Sequence, residues 1–355
     1  MISRLVSFLL LCGFVGSVGS QPVNVSGPLP EVRVDSVRRV FHNGEHNAFT
    51  DLVKFQNRFY LAFRTCPDGH GVHPTSSIVV LASEDAMDWK PVHRFQVPKR
   101  DVRDPHFLVF QDKLFVYTGA WYCGETSPKS YEINQHLGYA AWSQDGQTWN
   151  SPVMLEGTYG HYVWRAAEFG GKAYLCGRRK HRFGESKSRA ERDPLIESAL
   201  LVSDDGLIWK KQGLFQLENG DETAFLFEPD GAILAVARSG SGLNAQICRA
   251  KSVDHEFVRS NLDRYIGGPL LAKWNQHYLV GGRKSIHQAV TSLYWLEGDR
   301  LHEFAELPSG GDNSYPGFIQ LSENRAVVSY YSSHEKDAEG KTITAIYLAD
   351  LTWVK

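Results

Sequence analysis

The chain has 355 residues, 42% hydrophobic and 12% aromatic, with a formal net charge of −2. That is ample material for a sizeable core, and with no linker or low-complexity tract to divide it, one main domain is expected. The near-neutral balance and the lack of a local basic run exclude nucleic acid and anionic membrane as expected partners.

At the N-terminus Arg4 precedes an apolar run over 5–18, and Ser17-Val18-Gly19-Ser20 offers small residues before Gln21. This pattern predicts a secretory signal peptide over 1–20, too short to span a bilayer. Cys12 follows Leu11, where a lipoprotein signal wants a small residue, so no membrane anchor is expected. A secreted or periplasmic protein follows. Residues 21–33 are rich in Pro, Gly and Ser and are expected to form an extended lead-in to a domain over 34–355.

Six hairpin-like units then succeed one another. They cover 47–64 around Gln56-Asn57, 103–118 around Gln111-Asp112, 162–178 around Gly170-Gly171, 220–238 around Glu228-Pro229-Asp230-Gly231, 267–283 around Asn275-Gln276, and 313–331 around Glu323-Asn324. Each sets two β-prone runs about a turn signal. Six such units, roughly 45 to 60 residues apart, are the signature of a propeller, whose blades are four-stranded sheets around a central channel. The last unit has only three strands of its own, so the strand-like segment 34–42 is expected to complete it. The predicted fold is therefore all-β, a six-bladed β-propeller of four-stranded antiparallel sheets closed by an N-terminal strand. Within a hairpin the first strand begins beside the end of the second, so Glu222 and Arg238 should emerge together. Because export permits disulfides, Cys66 and Cys123, each after the second strand of neighbouring units, are a candidate pair, while Cys176 and Cys248 read as buried small hydrophobes.

Three segments, Ser83 to Trp89, Ser143 to Trp149 and Ser203 to Trp209, repeat one pattern, with their tryptophans 60 residues apart. Ser and Asp side chains in each suit a β-turn, and the Trp suits packing between sheets. They resemble the Asp-box turns of the sialidase superfamily. That resemblance implies a glutamate opening the fourth blade, an arginine ending its second strand, an arginine in the fifth blade and a tyrosine opening the sixth. Glu222, Arg238, Arg283 and Tyr315 stand at those places. It also likens Phe63-Arg64-Thr65-Cys66-Pro67-Asp68-Gly69-His70 to the family's first-blade loop, making Arg64 a substrate contact and Asp68 the acid/base candidate.

The implied activity is an exo-acting glycoside hydrolase that cleaves a terminal, acidic sugar from a glycan. A sugar with a carboxylate on its anomeric carbon repels an anionic nucleophile, so a tyrosine activated by a carboxylate base is used instead. Tyr315 and Glu222 take those roles, and Arg238 and Arg283 grip the sugar's carboxylate in forked hydrogen bonds. One departure stands out: no arginine occurs in Glu45-His46-Asn47-Ala48-Phe49-Thr50-Asp51, where the family has its first. Arg103 is the candidate replacement. Its segment, Val102-Arg103-Asp104-Pro105, also resembles a motif of five-bladed propeller glycosidases. Asp51 and Asp104 are alternative acids, and Tyr331 and His334 are further substrate contacts, Tyr331 being the rival nucleophile.

Bland alternatives stay open beside these. Glu222 and Arg238 can be a channel salt bridge, and Trp121, Tyr122 and Trp164 can pack between blades instead of stacking on sugar. His46, His70, His73, His161 and His334 gather near the predicted mouth without a close ligand spacing, so no metal or cofactor is assigned. Residues 178–192 read as an insertion of blade three that covers the site or is solvated. A propeller frame hosts many functions, which keeps a non-catalytic glycan- or protein-binding propeller, and a hydrolase or lyase of a non-sialic polysaccharide, as the competing readings.

Overall fold

The computed structural model describes residues 28–354 except 129–131, 182–185, 187 and 288. The expected signal peptide lies outside the described residues, as does the lead-in up to residue 27. Among the described residues the strands form six four-stranded antiparallel sheets. From the channel outward, blade one is His46–Phe55, Arg58–Cys66, Ser77–Ser83 and Lys90–Phe95, and blade two is Arg100–Phe110, Lys113–Tyr122, Leu137–Ser143 and Val153–Met154. Blade three is Tyr162–Phe169, Lys172–Lys180, Ile196–Ser203 and Lys210–Gln216; blade four is Gly220–Phe227, Ile233–Ser239, Gln246–Ala250 and Val258–Asn261. Blade five is Gly267–Trp274, His277–Arg283, Thr291–Glu297 and Arg300–Leu307. Blade six takes Asn313–Ser322, Arg325–Lys336 and Thr342–Val354, and its outer strand is Glu31–Phe41, so the N-terminal strand closes the ring as expected. That strand starts three residues earlier than the sequence suggests, because Glu31 already pairs with Val354.

Three of the expected turns have the backbone that two-residue hairpins favour. Gln56 and Asn57, Gln111 and Asp112, and Gly170 and Gly171 all have positive φ, which matches the right-handed twist of the strands they join. The turns at Ser83, Ser143 and Ser203 are held alike: each Ser hydroxyl donates to the Asp two residues on, and that carboxylate accepts two backbone N–H groups. Antiparallel register puts them at the end of each blade opposite to where the inner strands begin.

The starts of the inner strands share one irregularity. Each strand shifts register at its second or a nearby residue pair: Phe49-Thr50, Asp104-Pro105, Trp164-Arg165, Asp221-Glu222, Gly268-Pro269 and Tyr315-Pro316. Phe49, Asp104, Gly268 and Tyr315 have φ of 63, 51, 59 and 54° there. A bulge adds an unpaired residue and re-aims its side chain. Six bulges at one end of the channel form a ring, and the candidate site is built on it.

The cysteine expectation needs correction. Cys66, Cys123, Cys176 and Cys248 are all buried and free. Cys66 Sγ faces Thr75 Oγ1 at 3.6 Å and Cys123 Sγ donates to the Lys99 carbonyl at 3.4 Å, so each thiol turns to its own loop and the Cys66–Cys123 bridge is not formed. No helix among the described residues is long and apolar enough to cross a membrane.

Candidate active site

A cavity of about 500 Å³ opens at the bulged end of the channel, and its wall includes Phe49, Arg103, Asp104, Glu222, Arg238 and Tyr315. Tyr315 is held from below. Its carbonyl accepts from Thr50 Oγ1 at 2.8 Å, and the next carbonyl, of Pro316, accepts from Arg165 at 2.6 Å. The phenol then reaches across the channel and donates to Glu222 Oε1 at 2.8 Å. Arg238 donates to the other carboxylate oxygen at 2.9 Å and to the phenol oxygen at 3.2 Å, and the Gly268 N–H reaches Glu222 Oε2 at 3.1 Å. Burial, and then the charge of Glu222, push the Tyr315 phenol well above its ordinary pKa. The phenol therefore needs a base to become a nucleophile, and Glu222 is the base in contact. Gly268 has to be small here: a Cβ would lie 2.7 Å from the Tyr315 ring.

Asp221, beside Glu222, pairs with Arg178 and lies 3.3 Å from the Nε of Arg238. Burial alone would raise its pKa, but those two guanidiniums outweigh it and keep the carboxyl below the usual range. Asp104 behaves oppositely. Burial, and then the neighbouring Glu222 charge, raise it to about 7. It accepts from the Tyr162 phenol, and its Oδ1 is buried with no partner. A carboxyl that keeps its proton near neutrality is suited to general acid work.

The far wall is a second network. Arg283 donates to Asp312 Oδ1 at 3.2 Å and to the Asn313 carbonyl, and its carbon lies 5.9 Å from the Tyr315 ring centre. Asp312 also accepts from Tyr331 at 2.8 Å and meets His46 Nε2 at 2.9 Å and His70 Nδ1 at 2.7 Å. Burial works against its charge, yet the hydrogen bonds from His46 and His70 hold it far below the usual carboxylate range.

The structure thus brings together Tyr315, Glu222, Arg238, Arg283, Tyr331, Arg103 and Asp104. It does not bring Asp68, Arg64, Asp51 or His334 to the cavity wall. Asp68 lies on the exposed part of its loop and accepts from Thr75 at 2.5 Å; Gly69 and Gly71 carry the chain past it, so the loop delivers His70 to the cavity instead. Arg64 is fully buried, paired with Asp101 at 3.0 Å and donating to the Gly69 and Gly71 carbonyls, which makes it the loop's internal brace. Asp51 lies deeper, bound to Arg165 at 2.7 Å and to the Phe107 N–H at 2.8 Å. His334 turns outward onto the Tyr347 ring, 4.5 Å away.

Asp221, Asp312 and Tyr162 were not singled out from the sequence, and Arg178, read as the start of the blade-three insertion, belongs instead to the strand Lys172–Lys180 and lies on the cavity wall. Asp221 carried a signal, adjacency to Glu222, but regular alternation would send the two to opposite faces. Trp121 lines the cavity, whereas Trp164 is fully buried and Tyr122 is exposed. Arg189, Arg192 and Asp193 from the blade-three insertion lie on the cavity wall.

No family model matches the chain, and no curated protein matches it. Solved structures do. A crystal structure of a protein of unknown function from Dyadobacter fermentans superposes with a TM-score of 0.76 at 22% identity, covering 92% of this chain and all of that one. Trypanosoma rangeli sialidase in complex with the inhibitor DANA gives 0.63 at 12% identity, over 89% of this chain. Phage phi92 endosialidase gives 0.62 at 9%, over 90% of this chain and 69% of its own. The chain spans 58% of the length of the trypanosomal sialidase. At these identities the shared property is the six-bladed propeller.

Proposed function

We propose that the chain is an exported glycoside hydrolase of sialidase type that removes a terminal sugar from a glycan. The observation that carries this is the Tyr315–Glu222 hydrogen bond of 2.8 Å, with Arg238 donating to Glu222 Oε2 and to the phenol oxygen, in a cavity whose wall also includes Asp104. Support for the class also comes from the sialidases among the propellers of like fold.

In the first step the Tyr315 oxygen attacks the anomeric carbon as its proton passes to Glu222, and the glycosidic oxygen leaves with the proton of Asp104. The sugar is then bound to Tyr315 through an ether-like bond. In the second step Asp104 takes a proton from water, the water oxygen attacks the anomeric carbon, and the phenol departs with the proton from Glu222. Arg238 steadies the negative charge as it moves between phenol and carboxylate. Asp104 stands in for Asp68 as the acid/base because only Asp104 reaches the cavity.

The acidic-sugar expectation rests on Arg238 and Arg283, and both guanidiniums already meet carboxylates, Glu222 and Asp312. A sugar carboxylate must compete with these. The test is sugar release by the purified chain from aryl α-sialosides, uronosides and neutral glycosides, beside Tyr315→Phe and Glu222→Gln. Turnover of one substrate that both variants lose supports the proposal; sugar binding with no turnover on any substrate favours the glycan-binding propeller.

A further inference from the structure

We propose that His46, His70 and Asp312 form a binding site for a divalent transition-metal ion beside the cavity, which His70 lines, separate from the Tyr315–Glu222 pair. The three residues come from distant parts of the chain, the first strand of blade one, the loop after its second strand, and the residue before blade six. Their ligand atoms all lie within 4.8 Å of one another. His46 Nε2 and His70 Nδ1 converge on one carboxylate oxygen, Asp312 Oδ2, at 2.9 and 2.7 Å.

The surroundings set these groups in place. Tyr331 donates to Asp312 Oδ1 at 2.8 Å and Arg283 reaches the same oxygen at 3.2 Å, which leaves Oδ2 for the imidazole side. Outer partners of this kind orient the ligands of a metal. The His46 ring is wedged edge-on between His70 and Tyr331, with centroids 5.3 and 6.4 Å away. His70 has 56% of its side chain exposed and lies on the cavity wall, which gives an ion a way in and leaves coordination positions open to the cavity.

Two imidazoles and one carboxylate suit zinc, copper, nickel or cobalt, whereas calcium and magnesium prefer all-oxygen cages. Binding replaces the two hydrogen bonds to Oδ2. Each imidazole keeps one proton, carried by Nδ1 in His46 and by Nε2 in His70. The Arg283 charge offsets that of Asp312, so directional ligand bonds, not net charge, supply the affinity.

The experiment is calorimetric titration of the tag-free, chelator-treated full chain with Zn2+, with Co2+ absorption as a report on coordination. The expected result is one ion per chain, binding at least about 100-fold weaker in His70→Ala and roughly ten-fold weaker in Tyr331→Phe, with His334→Ala unchanged. Zinc should also raise the melting temperature of the parent but not of His70→Ala. If His70→Ala fails to fold, His70→Gln carries the same comparison. No saturable binding by the parent, or equal affinity in parent and His70 variant, would sink the site and leave the triad as a hydrogen-bonded brace of the loop. Neither result depends on any glycan being cleaved, so this test stands apart from that of the proposed activity.

Discussion

Asp104 keeps its proton to about pH 7 because burial and the Glu222 charge both oppose its ionisation. Glu222 accepts from Tyr315, Arg238 and the Gly268 N–H. Under the proposed mechanism the rate should fall as pH rises through about 7, and Asp104→Asn should lower kcat by about 10² to 10⁴-fold and abolish that limb. A flat profile in the parent would count against Asp104 as the acid. The same group leaves a mark on stability. Its folded-state value stands above the ordinary 3.8, so the folded chain holds a proton that the unfolded chain releases, and stability from this group is lost as pH climbs from 3.8 towards 7. Urea unfolding at pH 5 and pH 8 should show a larger drop for the parent than for Asp104→Asn.

At the scale of the strand, the bulges decide which side chains meet. Regular alternation would separate Arg103 from Asp104 and Asp221 from Glu222, yet all four line the cavity. The register shifts at Arg103/His106 and Gly220/Thr223 cancel the alternation there. Gly268 packs directly against the Tyr315 ring. Gly268→Ala puts a methyl against the Tyr315 ring at a backbone φ of 59°, which costs about 1–2 kcal/mol from handedness alone. Displacing the ring should cost more in activity, roughly 10²-fold in kcat, with KM little changed. Steady-state kinetics beside thermal melting would separate the two effects, and a variant with full kcat would refute the positioning role.

Across the whole molecule, closure of the ring and a buried ion pair hold the blades together. Asp51 of blade one bonds to Arg165 of blade three, which in turn bonds to the Pro316 carbonyl of blade six. Asp51→Ala leaves that guanidinium buried without its anion, and denaturant titration should show a loss of about 3–5 kcal/mol. The Asp51→Asn variant should lose less, because an amide can still accept from Arg165. Removing residues up to 41 uncovers the Thr342–Val354 strand along its full paired length. An open edge is a template for association, so the truncated chain should melt lower and form soluble oligomers in size-exclusion chromatography; an unchanged monomer would show that the N-terminal strand is dispensable.

The fold was legible because propeller blades repeat. Each hairpin is local, its turn residues fall at fixed offsets, and Trp89, Trp149 and Trp209 mark the period, so the number of blades and the closing strand follow from the chain alone. That Glu222 and Arg238 emerge together was legible for the same reason, since strand starts and ends at one face are set by antiparallel pairing, whereas Arg283 and Tyr315 were pointed to by the resemblance to the sialidase superfamily. Asp68 misled because a loop's reach depends on what braces it, and the buried Arg64–Asp101 pair turns that loop so that His70 faces the cavity. Asp312 gave no sign in the sequence, because its partners His46 and His70 are more than 240 positions away. What the sequence by itself determined was therefore the local and the periodic, namely six hairpins, their turns and the order of polar residues at the strand ends. Only the tertiary structure decided which side chains share the cavity, because ring closure brings blade six against blade one and the bulges override the two-residue alternation of a strand.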